Sequence, residues 1–252
     1  MWSTTAYAGL RAIFPILIVA HAATIAAATA PNNVVYLART ENEPLIDIAF
    51  PTLKEVYGRV GISVVERNAP GERAVVMVNS GEVYGDVMHV GGLENHYPNL
   101  IRIPVAIIQF DAVAFTSGKD ILITGWSGLA QHQTCIRRGI KAIEFAMAGQ
   151  KNVTVVSSYQ QIFSMLKAGR CDIAVLPRNA WLEVERLNIT GLRSMEPPLQ
   201  SWPLYHYVHK SHADIVPILT RTLLSMDKAG QLTTRQDAFW KHVEDVRRAY
   251  SN

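Results

Sequence analysis

The sequence is poor in cysteine and in charge. It has two cysteines, and charged residues make up 18% of its 252 positions. So few cysteines exclude a disulfide-dense scaffold, and Cys135 and Cys171 lack nearby partner ligands at zinc-site spacings. In an oxidising compartment the two can form a disulfide, and the alternative is a pair of buried thiols. The formal charge is +3 without a dense Lys/Arg block, so we expect no nucleic-acid partner.

The first thirty residues differ in composition from the rest of the chain. A polar start ends in Leu10-Arg11, followed by the apolar run Ile13 to Val19 and the alanine-rich stretch Ala20 to Ala30. This order is typical of a secretory signal peptide, which we assign to residues 1–30, and it predicts a periplasmic location. The alternative is an uncleaved membrane anchor, although a histidine and the Thr/Ala tail weaken the segment as a span of about 20 apolar residues.

Strand and helix patterns alternate along the remaining chain. Val34 to Ala38 predicts a buried strand, apolar residues spaced three and four apart from Ile46 to Val60 predict a helix, and Ile62 to Val65 predicts a second strand. Such a β-α-β unit implies parallel strands. Further predicted strands are Leu100–Val105, Ala112–Phe115, Thr134–Ile136, Val153–Val156, Ile173–Leu176 and Leu204–Val208. Further predicted helices cover Ile140–Ala148, Ser158–Gly169 and Ile215–Ala229. Ala74–Val78 fits either a strand, because it is rich in valine, or a helix, because it follows a strand, and we favour the helix.

Four stretches carry a resemblance to a known family. They are Asn79 to Asp86, Tyr97 to Pro104, Gly169 to Leu176 and Lys228 to Leu232. Together with the order of elements, they resemble the type II periplasmic solute-binding proteins of the amino-acid branch (family 3), which serve ABC transporters. The resemblance implies an α/β, two-lobed fold, in which each lobe is a mostly parallel sheet flanked by helices and a two-segment hinge joins the lobes.

The resemblance also implies how the chain divides. Lobe one would hold residues 31–112 and 203–252, and lobe two residues 113–202, with a ligand cleft between them at the carboxyl ends of the strands. We therefore expect a monomeric binding protein without a cofactor, rather than an enzyme. Its partners would be a small solute and the membrane permease of an ABC transporter.

Polar residues after the predicted strands are the candidate ligand contacts. An arginine at a helix start can bind a carboxylate through two parallel hydrogen bonds, so an acidic ligand group is expected. The alternatives are solvated or lobe-closing arginines, and serine or asparagine side chains that only cap helices. The candidates are Arg39, Glu41, Arg137, Arg138, Ser157, Ser158, Arg178 and Asn179.

Three departures from the family pattern limit the ligand prediction, one of them being Tyr84, which stands where many members have an aspartate. Glu43-Pro44-Leu45 stands where amino-acid binders usually carry an aromatic residue, and Pro177-Arg178 stands where many place an aspartate for the ligand's ammonium group. A carboxylate or other organic anion without an ammonium group is therefore as plausible a ligand as an amino acid.

Two other functions remain open at this stage. One is a periplasmic enzyme on the same fold, a dehydratase of a cyclic carboxylate, for which Glu41 is the fair acid/base candidate. The other is a module that senses a ligand. A metal site at His206, His209 and His212 is not expected, because the first two would face opposite sides of a strand.

Overall fold

A computed structural model describes residues 1–2, 33–118 and 120–251. The predicted signal peptide at residues 1–30 lies outside these ranges except for its first two residues. Among the described residues, no helix combines the length and the hydrophobicity of a membrane span. The fold reported below is that of residues 33–251.

The described part contains the predicted strands and helices in their predicted order, together with the strands Gly85–Val90 and Leu192–Ser194 and the helix Gln231–Tyr250, which the patterns above did not predict. The strands are β1 (Asn33–Thr40), β2 (Ile62–Ala69), β3 (Gly85–Val90), β4 (Leu100–Ser117), β5 (Thr134–Arg137), β6 (Val153–Val156), β7 (Ile173–Pro177), β8 (Leu192–Ser194) and β9 (Gln200–His209). The helices are α1 (Ile46–Gly58), α2 (Gly71–Asn79), α3 (Lys141–Ala146), α4 (Tyr159–Lys167), α5 (Trp181–Arg186), α6 (Val216–Lys228) and α7 (Gln231–Tyr250). Short 3-10 turns occupy Leu93–Asn95, Trp126–Gln131, Arg178–Ala180 and Lys210–Ile215.

All nine described strands belong to one hydrogen-bonded sheet, in the order β2-β1-β3-β9-β4-β7-β5-β6, with β8 beside β4. At one end β1 is parallel to β2 and β3, and at the other end β5 is parallel to β6 and β7. The strands β4 and β9 are antiparallel to their neighbours and join the two parallel sets. This arrangement confirms the predicted α/β class with two mostly parallel halves.

The two halves define the lobes used below. Lobe one comprises β1, β2, β3, α1, α2 and α6, and lobe two comprises β5 to β8 and α3 to α5. The paired strands β4 and β9 cross from one to the other, with Phe110 opposite Trp202 and Asp111 opposite Ser201. The lobe boundaries given above in residue numbers stay a prediction.

Apolar spacing explains how the helices of lobe one pack. In α1 the buried side chains include Ile46, Ala49, Leu53 and Val56, which recur every three or four residues on the face against the sheet. The valine-rich segment of α2 follows the same rule, so the helix prediction there is confirmed against the strand alternative. Gly230, with φ of +69°, supplies the left-handed residue that separates α6 from α7.

Lobe two has its own aromatic core. Phe115 of β4 packs against Phe163 of α4 and Trp181 of α5, with ring centroids 6.3 and 5.2 Å apart. The indole nitrogen of Trp181 donates to Ser194 Oγ at 3.1 Å, which satisfies its polar group in a buried position.

The two cysteines also lie in lobe two. In the structure Cys135 of β5 and Cys171, just before β7, are joined as a disulfide. Both residues are buried in the same core as the aromatic side chains. The bond therefore links neighbouring strands inside one lobe and does not cross the hinge.

Candidate functional site

A cavity of about 400 Å³ lies between the two lobes. Its polar walls follow β1, β2, β5 and β6 at the carboxyl ends of parallel strands, which is where open α/β sheets bind ligands. The lining segments are 40–43, 45–46, 70–72 and 88–90 from lobe one, 137–142 and 157 from lobe two, and Phe110 and Leu204 from the hinge strands.

Arg137 is the most distinctive polar side chain of this cavity. It ends β5, and its guanidinium carbon lies 4.7 Å from the ring centroid of Tyr159, an aromatic contact that orients the side chain. Its Nε is buried and has no hydrogen-bond partner among the described residues. A buried guanidinium donor without a partner is costly, so this N–H is suited to donate a hydrogen bond to a ligand oxygen.

The neighbouring backbone is only partly available to a ligand. Arg138 lines the cavity with an exposed side chain, while its backbone N–H donates to Val156 O at 2.8 Å. The N–H of Gly139 donates to Glu144 Oε1 at 2.7 Å, so a carboxylate of the chain itself already binds at the start of α3. Anion binding at this place therefore depends on the arginine side chains more than on free amides.

Two acidic residues face the arginines from lobe one. Glu41 is exposed and Glu43 is half-buried in the loop after β1, and both line the cavity. Glu43 Oε1 accepts from Leu45 N–H and from Asn179 Nδ2, each at 3.3 Å, and the second bond crosses from lobe one to lobe two. Burial raises the pKa of Glu43, against the lowering effect of the Leu45 N–H, Arg137 and Asn179.

His89 is a lining residue that the sequence did not suggest. It lies near the end of β3, and its Nδ1 accepts from the backbone N–H of Val90 at 3.0 Å, which assigns the ring proton of the neutral form to Nε2. Burial, with a smaller contribution from Lys141, lowers the pKa of His89 to about 4. At neutral pH this side chain is thus an uncharged group. The sequence did contain a pattern that could have identified His89. A polar residue at the end of a strand, followed by Gly91-Gly92, is typical of a turn that lines a binding site.

The floor of the cavity is apolar and includes one aromatic ring. Phe110 belongs to hinge strand β4, and its ring centroid lies 5.6 Å from that of Trp202 on hinge strand β9. Leu45, Met88 and Leu204 complete much of the apolar surface. Although the predicted position after β1 lacks an aromatic residue, the hinge supplies one.

The sequence-predicted site residues divide into two groups. Glu41, Arg137, Arg138 and Ser157 line the cavity. Ser158 accepts from Gln161 N–H at 3.2 Å as the N-cap of α4, which is the plain capping role left open above. Asn179 is fully buried behind the cavity and reaches it only through its bond to Glu43.

Arg39 and Arg178 lie outside the cavity lining and are held in ion pairs. Arg39 contacts Asp47 and Glu66 at 2.7 and 2.6 Å. Arg178 contacts Asp111 of β4 at 3.0 Å and Glu196 at 2.7 Å. Through its contact with Asp111, Arg178 therefore connects the turn after β7 to hinge strand β4.

Contacts between the lobes also lie beside the cavity, around a small pocket lined by Glu72, His96, Lys141 and Phe145. Lys141 of α3 lies 3.6 Å from Glu72 of α2, and the ring of Phe145 is stacked on His96 with centroids 5.9 Å apart. These contacts, with the Glu43 to Asn179 hydrogen bond, hold the two walls of the cavity close together.

No protein-family model matches the chain. An uncharacterized protein of Shewanella oneidensis is 27% identical over 168 residues, which is 64% of this chain and 64% of that protein. The matched part is thus less than two thirds of that relative's length.

Solved structures match over most of the chain. A histidine kinase sensor domain with similarity to periplasmic binding proteins has a TM-score of 0.70 at 16% identity, covering 82% of this chain and 96% of that one. A mutant of ArgBP from T. maritima has a TM-score of 0.67 at 14% identity, covering 83% and 96%. The periplasmic VFT2 domain of Bordetella pertussis BvgS has a TM-score of 0.64 at 15% identity, covering 81% and 94%. The chain therefore has the two-lobed fold of the type II periplasmic binding proteins.

Proposed function

We propose that this protein binds a small carboxylate-bearing solute in the interlobe cavity and closes its lobes around it. The observation that carries the proposal is Arg137, which lines the cavity, is oriented by Tyr159 and has a buried Nε–H without a partner among the described residues. A carboxylate is the planar acceptor that satisfies a guanidinium through two parallel hydrogen bonds.

The dimensions of the cavity agree with a small ligand. Small-molecule sites are concave, mostly apolar and about 300–1,000 Å³ in volume, with a few polar groups that orient the ligand. The present cavity, about 400 Å³, has Phe110 and Leu204 at its floor and charged groups on its walls. Bending of β4 and β9 would open and close it, as in other two-lobed binding proteins.

The charges on the walls favour a ligand that carries both signs. Arg137 and Arg138 offer positive charge from lobe two, and Glu41 and Glu43 offer carboxylates from lobe one. A zwitterionic amino acid matches this polarity, and its ammonium group would take the place beside Glu43. The solved structures of similar fold include the substrate-binding protein of an amino acid ABC transporter and an ancestral arginine-binding protein bound to arginine, which supports an amino acid over a simple organic anion.

Two cellular roles are compatible with such a site. In the first, the protein is periplasmic and presents its closed, ligand-bound form to the permease of an ABC transporter. In the second, it is the ligand-sensing part of a signalling system, which the similarity to a histidine kinase sensor domain and to BvgS supports. The similar structures are binding proteins and sensor domains, so binding is favoured over the dehydratase alternative.

A thermal-shift screen against amino acids, keto acids and dicarboxylates tests the proposal, because a ligand that binds only the folded state raises the melting temperature. For the best solute, Arg137→Ala should weaken binding by about 1.5–3 kcal/mol, the value of a charge-assisted hydrogen bond. The matched control is Arg170→Ala, which removes the same charge from an exposed position of lobe two outside the cavity lining. Equal affinities of the two variants would refute the role of Arg137.

Glu43→Gln separates the two ligand classes in the same assay. The amide keeps the shape of the side chain and removes its negative charge. If the ligand carries an ammonium group, the variant should bind it more weakly than the wild-type protein does. If the ligand is a simple anion, the loss of a carboxylate from the cavity should leave its binding unchanged or strengthen it.

A further inference from the structure

The C-terminal helix α7 packs on both lobes. It contains 20 residues, which at 1.5 Å per residue gives a length of about 30 Å. It contacts α1 and α6 of lobe one, and it also contacts α5 and the turn at 178–180 of lobe two. The helix therefore lies across the hinge as a third connection beside β4 and β9.

Polar bonds attach the first half of α7 to lobe one. Arg235 forms an ion pair with Glu55 of α1 and also donates to Thr52 Oγ1 at 3.2 Å. Gln231 accepts a hydrogen bond from Arg59 at 3.0 Å. This end of the helix is thus bonded to α1 and to the residue that follows it.

The middle of α7 lies against the hinge. The side-chain amide of Gln236 donates to the backbone carbonyl of Ile107, in the part of β4 that leads into lobe two, at 3.0 Å. One turn later, Phe239 and Trp240 form an edge-to-face pair with centroids 5.0 Å apart. Both rings pack against the core that continues through the hinge and against the aromatic core of lobe two.

Apolar contacts attach the second half of α7 to lobe two. Val243 and Val246 are 1% and 4% exposed and belong to the same buried cluster as Trp181 and Val184 of α5. Opening the lobes without α7 would expose these valines to water, and moving α7 with lobe two would break its bonds to α1. Both movements therefore require free energy that opening a hinge made of β4 and β9 alone would not require.

From this geometry we infer that α7 is a strap that restrains lobe opening and so sets the balance between the open and closed forms. The inference rests on the proposed function in that the cleft between the lobes is the binding site. A helix can transmit such a restraint, because a sharp bend would disrupt its backbone hydrogen-bond ladder. Ligand affinity would then depend on residues that never touch the ligand, since a binding-competent form that is more populated lowers the apparent dissociation constant.

The test measures the distance between the lobes in the protein without added solute, so that it does not depend on finding the ligand. Spin labels at Lys54→Cys on α1 and Gln160→Cys on α4 report this distance by pulsed electron resonance, both positions being exposed. The double variant Val243→Ala/Val246→Ala should shift the distribution towards longer distances and broaden it. If the strap does not restrain the hinge, the distribution will match that of the wild-type protein.

A second double variant controls for the general loss of buried methyl groups. Val156→Ala/Val175→Ala removes the same atoms from buried valines on β6 and β7 of lobe two. It should lower the melting temperature without lengthening the distance between the lobes, and an equal lengthening in both double variants would overturn the inference. If Val243→Ala/Val246→Ala fails to fold, Gln236→Ala takes its place, because it removes the hydrogen bond to hinge strand β4. This variant should also lengthen the distance between the lobes. An unchanged distance in Gln236→Ala would refute the inference that α7 restrains the hinge.

Discussion

His206 of β9 lies at the centre of a buried polar group in lobe one. Its Nδ1 lies 2.6 Å from the backbone carbonyl of Asp86, and its Nε2 lies 2.7 Å from the hydroxyl of Tyr57. Because a carbonyl can only accept, Nδ1 carries the proton and Nε2 accepts from Tyr57. Burial lowers the pKa of His206 from 6.5 to about 4, and the ring is neutral in the folded protein at physiological pH.

The sign of the pH dependence follows from this lowered pKa. Between pH 6.5 and about 4 the unfolded chain binds a proton at His206 that the folded chain does not bind, so stability is lost as the pH falls through this window. At about 1.4 kcal/mol per pKa unit, the gap from 6.5 to about 4 limits the total effect to about 3 kcal/mol. From about pH 7.5 to about pH 4.5 the expected loss from this residue is about 2.5 kcal/mol.

Urea unfolding of the wild-type protein and of His206→Asn across this pH range measures the effect. The variant removes the titrating group, so it should be less stable than the wild-type protein at neutral pH, and the difference should shrink by about 2.5 kcal/mol on acidification. Glu43, Asp86 and His89 also titrate with shifted pKa values, but they are present in both proteins and cancel in the comparison. His242→Asn, which removes a histidine from an exposed position of α7, serves as the control substitution. Parallel profiles for His206→Asn would refute the reasoning.

Two further predictions concern lobe two and the hinge. The double variant Cys135→Ala/Cys171→Ala removes a disulfide whose cysteines are separated by 36 positions in the sequence. The chain-entropy relation predicts that the free energy of unfolding falls by about 4 kcal/mol. An unchanged urea midpoint would contradict this prediction. Arg178→Ala leaves Asp111 and Glu196 without their shared cation, so we expect a loss of about 1–3 kcal/mol in the free energy of unfolding. Calorimetry should show a lower stability of this variant, and ligand titration should show a nearly unchanged affinity. A loss of affinity without a loss of stability would instead indicate that Arg178 contacts the ligand.

The sequence predicted most elements of the fold because their patterns are local. The apolar spacing from Ile46 onwards specifies α1 and its buried face, and the short apolar runs on either side specify parallel strands. β4 shows where this reasoning stops. The sequence suggested two separate strands, Leu100–Val105 and Ala112–Phe115, whereas the structure has one continuous strand, Leu100–Ser117. Its register shifts between Arg102 and Ala106, the part that contains Pro104. A proline lacks the N–H needed for a regular ladder, and the irregular register accommodates it.

Strand ends located the site, but they could not tell which polar residues were free to bind a ligand. Arg137 and Arg39 both lie at the carboxyl ends of strands and look alike in the sequence. Arg39 is neutralised by Glu66, which is 27 residues away in the chain and adjacent in the sheet. The pairing of Arg178 with Asp111 is likewise a consequence of the strand order. Such ion pairs depend on distances in space, which no local pattern encodes.

What the sequence determined by itself is therefore the alternation of elements, the parallel pairing of strands and the position of an arginine-bearing edge, because these follow from periodicity and from chain direction. Tertiary structure alone decided that the half-buried Glu43 lies opposite Arg137, and that Phe110 supplies the aromatic floor of the cavity. It also decided that α7 covers both lobes. An amphipathic helix shows which of its faces is apolar, but the surface that this face covers is chosen only when the whole chain has packed.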